Sequence, residues 1–219
     1  MKRFRILSLT LSMALLLTGA VFANAAKPEG KPVHLIYSTH SVGTATYNSS
    51  AGLGSMWINY LPEGSRVDVQ PTSPGGMGAP YLFAAKKADI AFINNAPVKW
   101  AYETGTLGKK PTQEYYGLIG SLTAVSSVSF MTKSFMKKHG VSSFEDAIAK
   151  KLPIRIGCSP KGSMDEKIAE LMLKSQGVTY ADVKSWGGDV VHGGGADLAS
   201  MAKDGKIDLM VDHTSAQSS

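Results

Sequence analysis

Thiol chemistry is nearly absent from this sequence. Its 219 residues include one cysteine, Cys158, which can form no internal disulfide and has no partner ligands for zinc. Stability therefore has to come from a packed core. Dense runs of lysine and arginine are also missing, which removes the usual footprint of a nucleic-acid-binding protein.

The nucleotide-binding signatures are missing too. No G-x-x-x-x-G-K-[ST] run occurs, so there is no P-loop, and Gly75-Gly-Met-Gly78 lacks the dinucleotide spacing. His192-Gly-Gly-Gly195 has the look of an esterase oxyanion loop. That chemistry needs a G-x-S-x-G elbow downstream, and none follows. An exported hydrolase would need a nucleophile–base pair that these residues do not assemble. The five histidines, His34, His40, His139, His192 and His213, share no short metal-ligand spacing. No catalytic residue, metal or cofactor is expected. Single core or surface histidines are the commoner outcome, although His40 and His213 fall on strand-end loops where they can donate to a carboxylate.

What is present begins with an address. Lys2, Arg3 and Arg5 precede an apolar run, Ile6 to Ala20, and Ala23-Asn-Ala25 fits the small-x-small cleavage pattern. Residues 1–25 read as a secretory signal peptide, with no following cysteine for a lipid anchor. The whole chain carries a net charge of +6; without these three basic residues the balance falls to +3. That mild positive charge suits an anionic small ligand without specifying one.

The remainder alternates strand and helix signals, which argues for an α/β fold with parallel-rich sheets flanked by helices. A strand at Val33–Tyr37 empties through small hydroxyl residues into a helix predicted over Asn48–Tyr60. Its stripe of Leu53, Met56, Trp57 and Tyr60 is expected to be buried. Pro71 to Pro80 is a second strand-to-helix loop, with Gly75 and Gly76 permitting close backbone approach. Ala88 to Ile93 is a third strand, and Asn94 and Asn95 are expected to cap the next helix. Strands are read at Tyr116–Leu122 and Val125–Thr132. Ser142-x-x-Glu145 and Ser163-x-x-Glu166 read as capping boxes. Lys161 precedes the second of these helices, whose first amides can hold an anion. A plain N-cap and a solvent-facing lysine explain Lys161 and Ser163 equally well. The pattern divides into two lobes, residues 26–132 and 133–219, with a cleft between.

Five stretches carry a family resemblance. Ser41-Val-Gly-Thr-Ala-Thr-Tyr47, Pro74-Gly-Gly76, Ala88-Asp-Ile-Ala-Phe92, Lys161-Gly-Ser-Met-Asp-Glu166 and Lys203-Asp-Gly-Lys-Ile-Asp208 occur in the order seen in TAXI-type solute-binding proteins of TRAP transporters. The ordered set covers most of the chain after residue 25. It implies a monomeric, periplasmic receptor of the two-lobe type II binding-protein fold. Such a receptor captures a small organic anion, a carboxylate or an amino acid such as glutamate, and delivers it to a TRAP-type membrane permease. Position by position, the implied ligand residues are Ser41, Gly43, Thr44, Tyr47, Gly75, Gly76, Gly162 and Ser163. Asn94 and Asn95 join them by location, and Lys161 by its own chemistry. Two departures stand out: Met77 and Pro80 occupy positions where the family has Ser and Asn. Family members also continue beyond the equivalent of Val211, so the resemblance implies a truncated second lobe. The alternatives are an exported sensing domain of the same fold without a transport role, or a non-functional fragment.

Overall fold

The computed structural model describes residues 27–120 and 125–214. The segment read as a signal peptide, part of the strand expected at 116–122, and the last five residues of the sequence lie outside the described residues. Seven strands alternate with eight helices across the described chain. In order they are β1 (His34–Ser38), α1 (Ala45–Trp57), β2 (Arg66–Gln70), α2 (Ala79–Ala84), β3 (Ile90–Ala91), α3 (Asn95–Glu103) and β4 (Ser126–Met131). Then come α4 (Lys133–His139), α5 (Phe144–Ala149), β5 (Arg155–Cys158), α6 (Met164–Ser175), α7 (Tyr180–Ser185), β6 (Asp189–His192), α8 (Gly195–Lys203) and β7 (Leu209–Thr214).

The strands form two sheets. The first has the order β2-β1-β3 and is parallel throughout. The second has the order β4-β7-β5-β6, with β6, β5 and β7 parallel and β4 antiparallel to β7. Both sheets thus repeat one pattern, in which the first parallel strand lies between the second and the third. The α/β class with parallel-rich sheets is the one expected from the alternating sequence.

The repeat extends to a side-chain device. Asp89, just before β3, accepts a 2.8 Å hydrogen bond from the Ile36 amide of β1. Asp208, just before β7, accepts one of 2.9 Å from the Arg155 amide of β5. Each aspartate satisfies a strand amide that the ladder leaves over. Asp208 also takes the Arg155 guanidinium through Nε and Nη2, at 2.8 and 2.7 Å.

The larger core lies under the second sheet, where Ile154, Ile156, Leu173, Val183, Leu209 and Val211 are all buried. At Gly157, on β5, an added Cβ would fall 2.5 Å from Ile207 Cδ1, so the strand lies close against its covering side chains.

Several local expectations change. Helix α1 starts three residues earlier than expected, because Thr44 caps it by accepting from the Tyr47 amide. Its buried positions are Ser50 and Gly54, while Met56 and Tyr60 are exposed. A Cβ at Gly54 would sit 3.2 Å from Val69, so the helix rests on β2 by small residues rather than by a large apolar stripe. Trp57 does pack inward, stacked 5.3 Å from Tyr37. Residues 116–120 form no strand. The first capping box is displaced by one residue, with Ser143 capping α5 and Asp146 accepting from the Ser142 amide and hydroxyl. Strand β4, which the sequence reading grouped with the first lobe, is hydrogen-bonded into the second sheet. It lies at that sheet's edge, where Phe130 is exposed.

Candidate functional site

Parallel strands that share a direction empty their helices' N-termini onto one rim, and there the two sheets meet. Residues 71–78, between β2 and α2, carry Gly75 and Gly76 at φ +65° and +77°, conformations that only glycine adopts freely. Both are buried. An added Cβ at Gly75 would fall 2.5 Å from Met164, the first residue of α6, and one at Gly76 would fall 2.9 Å from Ile93 Cα. The second strand-end loop is therefore wedged between the first turn of α6 and the end of β3.

Beside this contact lies a polar cluster drawn from four segments. Asn94 stands at the N-cap position of α3, but its side chain does not cap the helix. It donates instead to His213 Nε2 at 3.1 Å, across 119 residues. The other ring nitrogen of His213, Nδ1, donates to Asp165 on α6. Asp212 turns its carboxylate back to accept from the His213 amide at 2.7 Å. His40, on the loop after β1, sits 6.3 Å from His213, ring to ring, and edge-on to Phe92. Asp165 and His40 are 4 % and 5 % exposed, and His40 Nε2 has no hydrogen-bond partner among the described residues.

Charge follows this geometry. Burial, reinforced by the neighbouring charge of His213, pushes His40 down to about 4, against the pull of Asp165. His213 loses solvation as well, but its hydrogen bond to Asp165 and the charges of Asp165 and Asp212 more than offset this and raise its pKa. Burial and the charge of Asp165 raise Asp212. The cluster favours a cation or a strong hydrogen-bond donor over a bare anion.

A cavity of about 560 Å³ opens on the other side of the first turn of α6. Met77, Trp100, Thr106, Ser163, Glu166 and Lys167 contribute to its wall. That volume suits a small organic molecule. Ser163 caps α6 by accepting from the Glu166 amide at 3.2 Å. Glu166 accepts from the Gly162 amide at 2.5 Å, so the reciprocal bond goes to Gly162 rather than to Ser163. Its other oxygen meets His192 Nε2 at 3.0 Å. Leu171, exposed on α6, lines this cavity as well.

Of the residues singled out by sequence, Met77, Gly162 and Ser163 line the cavity, while Gly75, Gly76 and Asn94 belong to the contact between the sheets. Ser41, Gly43, Asn95 and Lys161 are exposed, and Tyr47 is half-buried. The Thr44 hydroxyl is engaged at the α1 cap and donates to the Ser41 carbonyl at 2.8 Å. The sequence reading missed Asp165 and Asp212 as members of the cluster, since each looks like an ordinary helix-start or strand-end carboxylate. No described hydroxyl pairs with a histidine. Ser38 bonds Thr72, Thr39 bonds Ser50, and Ser73 accepts from the Gly78 amide.

No protein-family model and no curated protein matches the chain. Among solved structures it is similar to the periplasmic aliphatic sulphonate binding protein SsuA from Escherichia coli, at 12 % identity and a TM-score of 0.38, over 83 % of this chain and 54 % of that one. It is similar to the periplasmic nitrate-binding protein NrtA from Synechocystis PCC 6803, at 14 % identity and a TM-score of 0.45, over 87 % of this chain and 48 % of that one. It is also similar to the amino acid ABC transporter substrate-binding protein AbpA from Streptococcus pneumoniae, solved with L-arginine. Identity there is 11 % and the TM-score 0.44, over 83 % of this chain and 68 % of that one. The chain spans about half the length of the sulphonate- and nitrate-binding proteins. Among the described residues no helix is long and apolar enough to cross a membrane.

Proposed function

We propose that this protein is a periplasmic, monomeric solute-binding receptor that holds a small organic solute between two lobes and delivers it to a TRAP-type membrane permease. The observation that carries the reading is the meeting of strand-end loops from both sheets. Gly75 lies against Met164, and Asn94 is bonded to His213, with a cavity of solute size alongside. The repeated strand order supports a type II two-lobe arrangement, with one lobe around each sheet and β4 belonging to the second. The ordered set of family stretches supports the TAXI type and the permease partner.

The ligand-facing residues in this reading are Met77, Gly162 and Ser163, joined by Trp100, Thr106, Glu166 and Lys167. The wall carries both signs of charge, with Lys167 set between Glu166 and Glu170. An amino acid, which is itself doubly charged, suits such a wall better than a plain carboxylate does. A receptor of this kind binds its solute without turnover.

Thermal melts with a panel of amino acids and dicarboxylates test this. A ligand at a hundred times its dissociation constant adds about 2.7 kcal/mol to stability. A cooperative melt that moves with one amino acid supports the receptor. A cooperative melt that no member of the panel moves counts against it.

A further inference from the structure

We propose that His213, Asp165, Asp212 and His40 form a binding site for a divalent transition-metal ion of the zinc type. The proposal does not depend on the solute-receptor reading. One ligand atom each from Asp165, Asp212 and His213 lies within 4.8 Å of the other two, a spread that small side-chain shifts bring around a single ion. Asp165 is buried and the other two are half-buried, so this is not a solvated acidic patch.

The independent observation is His40. It is only 5 % exposed, its Nε2 has no partner among the described residues, and its ring centroid lies 6.3 Å from that of His213. A buried polar nitrogen without a partner is costly, and a metal ion supplies the partner it lacks. Two imidazoles on one tetrahedral ion have ring centroids roughly 5 Å apart, so His40, which stands outside the close group of Asp165, Asp212 and His213, would need to approach by about 1 Å and turn a ring nitrogen toward the ion.

The chemistry of the set selects the ion. Two imidazole nitrogens and two carboxylate oxygens suit zinc and its first-row neighbours, whereas magnesium and calcium prefer all-oxygen shells. Asp165 accepts a hydrogen bond from His213 Nδ1, and a bound ion would replace that proton. Asn94 is placed as the outer partner of His213 Nε2, and turning over its amide would let the Asn94 oxygen accept from the Nε2–H. Such outer bonds fix the ring and strengthen its metal bond. His40 follows β1 while Asp212 and His213 belong to β7, so the ion would fasten one sheet to the other.

The test uses zinc and cobalt(II) as probes on protein stripped with EDTA, by isothermal titration and by cobalt visible absorption. One ion per chain is expected. His213→Ala and Asp212→Asn should each weaken binding about tenfold or more, and His40→Ala should weaken it as well. His34→Ala and His192→Ala remove histidines paired with carboxylates elsewhere and should leave metal binding unchanged. Far-UV circular dichroism of the stripped variants separates a lost ligand from a lost fold. Absence of one-to-one binding in the stripped parent overturns the proposal, as does binding that survives both His213→Ala and Asp212→Asn. Solute melts run in EDTA keep failure of the receptor reading distinguishable from failure of this one.

Discussion

Gly75 and Met164 approach so closely that a methyl group on the glycine would lie 2.5 Å from the methionine Cβ and 2.6 Å from its backbone nitrogen. Gly75 lies in the loop after β2 of the first sheet and Met164 opens the helix after β5 of the second, and Gly75 also holds a φ of +65°. Gly75→Ala is therefore expected to separate the first turn of α6 from the loop before α2. Overpacking and backbone strain together amount to about 1–3 kcal/mol. Urea unfolding should show that loss. If the loops close over a solute, the variant should also show a weaker ligand-induced shift in melting.

Asp208 supports β5 through three bonds, from the Arg155 amide, Nε and Nη2. Its side chain is almost fully enclosed, whereas Arg155 is about two-fifths exposed. Asp208→Ala leaves a strand amide and a half-buried guanidinium without their acceptor. A loss of about 2–4 kcal/mol is expected in urea or thermal unfolding. Asp89→Ala, which removes a single amide acceptor from β1, should cost less.

Cys158 is completely buried, and burial together with the carboxylates of Glu166 and Asp165 pushes its thiol up to about 12. Thiolate is the reactive form, so the native protein should release almost no colour from Ellman's reagent at pH 8. In guanidinium chloride the same sample should release one equivalent, matching the single cysteine of the chain. Rapid reaction of the native protein would contradict the packing around β5.

His40 predicts an acid dependence. Its folded pKa of about 4 lies below the ordinary 6.5, so below pH 6.5 the unfolded chain takes a proton that the folded chain refuses. Its share of stability is intact above pH 6.5 and falls as the pH drops toward 4, by about 3 kcal/mol in all. His213 has the opposite sign. Its raised pKa adds stability below the ordinary value, and that share is lost as the pH rises through the folded value. In EDTA, His40→Asn should therefore lose less stability than the parent between pH 7 and pH 4. Parallel acid profiles for the two proteins would contradict a buried neutral His40.

The features legible in sequence are local ones. Ser163 caps its helix as the spacing implied, because a cap involves residues three apart. The strand–helix alternation and the segments around Asp89 and Asp208 are likewise short-range signals. The buried face of α1 was misread because Ser50 and Gly54 form it. Hydropathy points to large side chains, while close approach to β2 requires small ones. The place of β4 could not be read from its own residues, since the edge of either sheet would suit the same pattern. The cluster was hidden for a related reason: His40, Asn94, Asp165 and His213 come from four separate junctions. Each alone resembles a loop polar residue or a helix-start carboxylate.

The strand order of the second sheet also governs when that sheet can assemble. Strand β7 lies between β4 and β5, yet it is the last of the described strands in sequence order. A polypeptide emerging N-terminus first has all of β1, β2 and β3 by residue 91. The second sheet stays split into β4 on one side and the β5–β6 pair on the other until residues 209–214 arrive to join them. Contacts of such long sequence separation form slowly. The first sheet can thus form early, while the surfaces that β7 will cover stay open to solvent until those residues arrive. During that interval the half-built sheet is the part of the molecule most in need of shielding from other chains.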